Sequence, residues 1–138
     1  MGGCTLILLD THALVWLDQG LKLLGPTSRR LIDDEFGSGT VLVSAISFWE
    51  VAMLCQKGRL QMVQSVLDWR ADLLASGVTE LPVGGDVGAR AVLLQDLHSD
   101  PADRMIIASA VALGAVLVTA DERMLGWSGS MLRQDARR

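Results

Sequence analysis

The feature that most constrains this chain is a repeated alternation of short, largely apolar runs with longer helical stretches. Residues 4–9 (CTLILL), 40–43 (TVLV) and 115–118 (AVLV) carry almost no polar side chain. Runs of this length read as strands covered on both faces, the habit of parallel sheets inside helical layers. Residues 78–81 (VTEL), stopped at Pro82, read as another strand. Between them the punctuation marks helices at 12–19, 27–36, 62–75, 86–96 and 122–126. A further helix starts at Ser44 or Ser47 and runs to Lys57, stopped by Gly58, and another opens at Asp100-Pro101 and closes at Gly114. The expectation is an α/β fold, with a short parallel β-sheet of four to five strands sandwiched between α-helices. A length of 138 residues predicts one domain over 1–138. The tail, 127–138, reads as weakly structured or as an edge strand near 130–133.

Charge narrows the functions. Twelve Lys and Arg against sixteen Asp and Glu give a formal charge of −4, which excludes a general basic coat for nucleic acid. Half the residues are hydrophobic, which excludes intrinsic disorder. Cys4 and Cys55 are too few for a disulfide framework and read as reduced thiols of a cytoplasmic protein. The opening apolar run ends at Asp10 with no basic residue before it, so neither a signal peptide nor a membrane span is expected.

In a parallel α/β sheet, ligands bind beyond the carboxyl ends of the strands. Asp10 follows LILL and Asp121 follows VLVTA, both at such ends. Each is also well placed to cap a helix. Glu50 shares a helical face with Ile46, Met53 and Leu54, so it points inward or sits at the edge of the apolar stripe. Asp103 leads the stripe Ile106, Ile107 and Ala110, while Asp100 and Pro101 before it form a helix start. Two carboxylates about 4 Å apart repel by roughly 4 kcal/mol at an effective dielectric near 20. Four on one rim must take up protons or hold cations. All-oxygen donors select a hard ion, Mg²⁺ or Mn²⁺. Such an ion activates water and neutralises a phosphoryl group, so the residues point to metal-dependent phosphodiester hydrolysis.

The remaining candidates have plainer readings. His12 reads as a helix-surface histidine, with a phosphate contact as the alternative, and Trp16 as core or partner surface. The run Gly84–Gly88 lacks the Lys-Ser/Thr of a phosphate loop and reads as a turn. Arg137 and Arg138 read as a frayed basic end within reach of RNA.

The segments LLDTHALVW, SAISFWEVAML, HSDPADRMIIASA and LVTADERM, in this order over positions 6–124, resemble the PIN-domain ribonucleases and, within them, the VapC-like toxins of toxin–antitoxin pairs. The resemblance implies that Asp10, Glu50, Asp103 and Asp121 form the metal site, with Asp10 and Asp103 as its firmest direct ligands. It places Thr11, His98, Asp100, Arg104 and Thr119 around it as groups that orient acids or substrate. It also implies an Mg²⁺- or Mn²⁺-dependent endoribonuclease, an RNA substrate, a cognate antitoxin partner and a homodimer. At two positions, Ser99 and Ala102, the chain departs from the pattern. With no Tyr and 4% aromatic residues, RNA recognition is expected to rest on shape and phosphate contacts.

Two rival classes remain open on the residues alone. A receiver-like phosphoacceptor domain shares the α/β plan and an acidic pocket, but needs a lysine at a strand end; Lys22 and Lys57 lie in or after helices. A non-catalytic binding module would use the same acids as caps only.

Overall fold

The computed structural model describes residues 5–138. The first strand, β1 (Ile7–Leu9), sits between β2 (Val41–Ser44) and β4 (Val116–Thr119), with Leu8 opposite both Leu42 and Leu117. β3 (Thr79–Leu81) adds to β2, and β5 (Leu132–Asp135) adds to β4. All four pairings are parallel, giving the order β3-β2-β1-β4-β5. The expected first strand reaches back to Cys4, which lies outside the described residues. Cys55 is a free, half-buried thiol.

Strand pleating splits the core into two layers. Ile7, Leu9, Val41, Val43 and Val118 face one cluster, built with α1 (Thr11–Asp18), α2 (Pro26–Glu35), α3 (Ala45–Gln56) and α4 (Val66–Ser76). Leu8, Leu42 and Leu117 face the other, built chiefly with α6 (Pro101–Leu113) and α7 (Glu122–Leu125). The helix α5 (Gly85–Leu93) packs on α6. Ile7, Leu8 and Leu9 are fully buried, worth about 1.5–3 kcal/mol each.

Several boundaries differ from expectation for identifiable reasons. α4 starts at Val66 rather than 62, because the Ser65 hydroxyl accepts from the Asp68 N–H at 3.1 Å and fixes the cap there. α5 stops at Leu93 rather than 96, because the Arg104 guanidinium takes the carbonyls that would continue it. Of the two serines proposed to start α3, Ser44 is the cap, accepting from the Ile46 N–H at 3.2 Å, and Ser47 is interior. The last strand forms two residues later than 130–133.

The basic end is not frayed. The Gly25 N–H donates to the Ala136 carbonyl and the Ser28 N–H to the Arg138 carbonyl, both at 2.8 Å. The Arg137 guanidinium pairs with Asp135 and Glu122, each at 2.8 Å. Among the described residues no helix is long and apolar enough to cross a membrane.

This winding places the site. From β1 the chain moves through β2 to β3 on one side, then returns to β4 on the other, so direction reverses between β1 and β4. Loops leaving those two strands splay apart there and leave a crevice at the carboxyl ends.

Candidate active site

That crevice is a cavity of about 350 Å³, lined by acids from four separate segments: Asp10, Glu50, Asp100, Asp103 and Asp121. His12, Trp16 and Arg123 share its wall. Glu50, Asp100 and Asp103 each offer an oxygen within 4.8 Å of the others.

Asp10 directly follows β1 and is 5% exposed. Its Oδ1 accepts from the Ala13 N–H at 2.8 Å, capping α1. Its Oδ2 accepts a short hydrogen bond from the Thr119 hydroxyl. Burial pushes its pKa up from 3.8 to about 6, against the lowering effect of these two bonds. Burial likewise raises Glu50, with Asp103 and Asp100 adding repulsion and Thr11 opposing it. The Thr11 hydroxyl donates to Ser47 Oγ at 2.9 Å, tying α1 to α3 beneath the cavity.

Asp103 is raised by burial first, then by Asp100 and Asp121, while the hydrogen bond from His98 opposes the shift. His98 Nε2 lies 2.7 Å from Asp103 Oδ2, and its Nδ1 is buried with no hydrogen-bond partner. An ionised carboxylate only accepts, so the His98 ring meets it as a donor through Nε2. Asp100 caps α6 through the Asp103 N–H at 3.0 Å, which seats the two acids on one turn.

Asp121 caps α7 through the Arg123 N–H at 2.8 Å. Burial acts to raise it, but the side-chain and backbone hydrogen bonds from Arg123 hold it below the usual carboxylate range. Thr119 connects the two ends of the crevice, since its Oγ1 donates to Asp10 and accepts from the Asp121 N–H at 3.1 Å.

The sequence-derived acids therefore converge on one cavity. Asp100, expected as an orienting group, belongs to the tightest triplet. Asp10, expected as a foremost ligand, lies in the same cavity but outside that triplet, with both oxygens already accepting hydrogen bonds. Arg104 does not line the cavity. Its guanidinium donates to five carbonyls, those of Ala91, Val92, Leu94, Leu97 and His98, at 2.6–3.2 Å. It holds the segment that presents His98 to Asp103. Sequence reasoning missed Arg123, although its place two residues beyond a strand-end acid was a usable signal. His12 is exposed on the surface of α1, as read, and it lines the cavity together with Trp16 one turn on.

Oxygen donors drawn from three carboxylates at this separation suit a hard divalent cation. Fold and acidic crevice together are those of a PIN domain, and the chain belongs to the PIN domain family, whose model matches residues 7–126. It is 35% identical over 121 residues to Ribonuclease VapC22 of Mycobacterium tuberculosis, a match covering 87% of this chain and 90% of that protein. The fold also matches VapBC2 from Rickettsia felis, crystallised with a DNA fragment from its promoter. There the TM-score is 0.69 at 15% identity, over 94% of this chain and 98% of the other. A toxin–antitoxin complex from Klebsiella pneumoniae gives a TM-score of 0.58 at 19% identity, over 88% and 92%.

Proposed function

We propose that this protein is a VapC-type endoribonuclease that hydrolyses RNA phosphodiester bonds with Mg²⁺ or Mn²⁺, and that a cognate antitoxin neutralises it. The convergence of Glu50, Asp100 and Asp103 at the β1–β4 crevice, beside Asp10 and Asp121, carries this reading. The likeness to Ribonuclease VapC22 supports the substrate class. The complexes among its structural relatives support an antitoxin partner.

Glu50, Asp100 and Asp103 would hold the cation, with Asp10 and Asp121 completing the negative field. A bound divalent ion supplies an activated water and neutralises charge on the phosphate. The protein's own contribution is positioning. His98 fixes one oxygen of Asp103, and Thr119 fixes one of Asp10. His12 and Trp16 line the same cavity, where a nucleotide would lie. A homodimer is part of the same proposal: the exposed Leu93 of α5 and Val111 of α6 line one shallow groove, an apolar surface that a second copy would cover.

Metal and catalysis are tested together. Calorimetric titration with Mn²⁺ should show binding, and Mn²⁺ at a hundred times its Kd should stabilise the fold by about 2.7 kcal/mol. RNA cleavage should stop in excess EDTA, and Glu50→Gln should weaken Mn²⁺ binding about tenfold or more. Absence of heat and of thermal stabilisation at millimolar Mn²⁺, with cleavage persisting in EDTA, overturns the proposal.

A further inference from the structure

Arg123 is a guanidinium set inside an acidic cavity. Its Nη2 lies 3.1 Å from Asp121 Oδ2 and 3.7 Å from Asp103 Oδ2, and its Nε is 3.4 Å from Asp121 Oδ1. It thus spans two acids from different segments, one on α6 and one before α7. No other arginine or lysine lines this cavity among the described residues. The bonds are long for charge-assisted pairs, which favour about 2.7–2.9 Å. The side chain is 59% exposed, against 14% for Asp103 and 28% for Asp121. A loosely held, solvent-facing cation on half-buried anions can leave without vacating a packed site.

We propose that Arg123 is an exchangeable counter-cation: it neutralises Asp103 and Asp121 when no divalent ion is present, and must release Asp103 for an ion to bind. This rests on the metal-site reading above and adds a competition to it. The crevice gathers five carboxylates, and three of them, Glu50, Asp100 and Asp103, each offer an oxygen within 4.8 Å of the others. An internal guanidinium lets such a cluster exist in the metal-free protein. The same contact weakens metal affinity, because the ion must displace a positive charge that is covalently tethered two residues from Asp121. Arg123 is in this sense a positioning residue that sets the metal threshold.

The experiment is calorimetric titration of Mn²⁺ into the metal-free wild type, Arg123→Gln and Arg137→Gln. The last removes the same charge from the neighbouring surface, where Arg137 pairs with Glu122 and Asp135 and lines no part of the cavity. Arg123→Gln should bind Mn²⁺ about three- to tenfold more tightly than wild type, as expected for losing two partly exposed ion pairs. Arg137→Gln should stay within about twofold. A merely structural role for Arg123 would leave Mn²⁺ affinity unchanged or lower it, and either result overturns the proposal. Equal tightening in both variants also overturns it, since that would be a field effect and not displacement. If neither wild type nor Arg123→Gln binds Mn²⁺, the metal-site reading falls and takes this one with it. Binding by wild type with no gain in Arg123→Gln removes this inference alone.

Discussion

Asp10→Asn should make the metal-free protein more stable at pH 7.5 while lowering RNA cleavage at least about a hundredfold. The stability half follows from proton linkage. Burial raises Asp10 from 3.8 to about 6 in the native state. Below pH 3.8 the group is protonated in folded and unfolded chains alike and has no effect. Between 3.8 and 6 the native state keeps a proton that the unfolded chain has released, so stability falls as pH rises through that window. Above 6 the full cost is present, about 3 kcal/mol for a shift of this size. Asn is neutral throughout and escapes it. Its carbonyl oxygen can still accept from the Ala13 N–H. Its amide then faces Thr119 Oγ1, which already accepts from Asp121, so the Thr119 proton must turn away. That rearrangement reduces the gain to about 1–3 kcal/mol. Denaturant titrations at pH 7.5 and 3.5, in EDTA, check the sign: the variant should gain at the first pH and not at the second. A variant less stable than wild type at pH 7.5, or one cleaving RNA at the wild-type rate, would sink the assignment of Asp10 as a strained functional carboxylate.

The same residue shows what was legible beforehand and what was not. Its position at the end of an apolar run marked it as both cap and candidate site, and it caps α1 while lining the crevice. The parallel sheet was readable because LILL, TVLV and AVLV have no polar face to give to water. The separations along the chain then left few ways to return β4 beside β1. Glu50 was readable because a carboxylate on an apolar stripe needs a reason. How the acids group within the cavity was hidden, because it depends on side-chain placement that no spacing reports. Asp10 has both oxygens accepting hydrogen bonds, whereas Asp100 spends Oδ1 on a cap and remains within reach of Glu50 and Asp103. Arg123 left only one local signal, its place two residues beyond a strand-end acid, since an exposed arginine in a short helix has no periodicity to report it. The way Arg104 acts was hidden: a cation beside an acid suggests a group that orients acids or substrate, but nothing local reveals five carbonyls converging on it from another segment.

Arg104 should be a determinant of stability first and of activity second. The segment after α5 turns sharply, with Asp96 at φ 60°, and its carbonyls point inward toward one guanidinium. Arginine suits this task because its planar fork carries five N–H donors in fixed directions, whereas lysine has three on a single nitrogen. Arg104→Ala leaves the carbonyls of Ala91, Leu94 and Leu97 without their donor, and should cost on the order of 3 kcal/mol. Arg104→Lys keeps the charge but cannot span Ala91 and Leu97 together, so it should recover less than half of that loss. Release of this segment also frees His98, whose bond orients Asp103, so Mn²⁺ affinity should fall with stability in both variants. Urea denaturation and Mn²⁺ calorimetry on the same samples separate this from a substrate contact. A side chain that only touched RNA would leave both quantities within about 0.5 kcal/mol of wild type and weaken RNA binding alone. That pattern would return Arg104 to the substrate; the five carbonyls around it predict the opposite, a protein that loses its fold and its metal together.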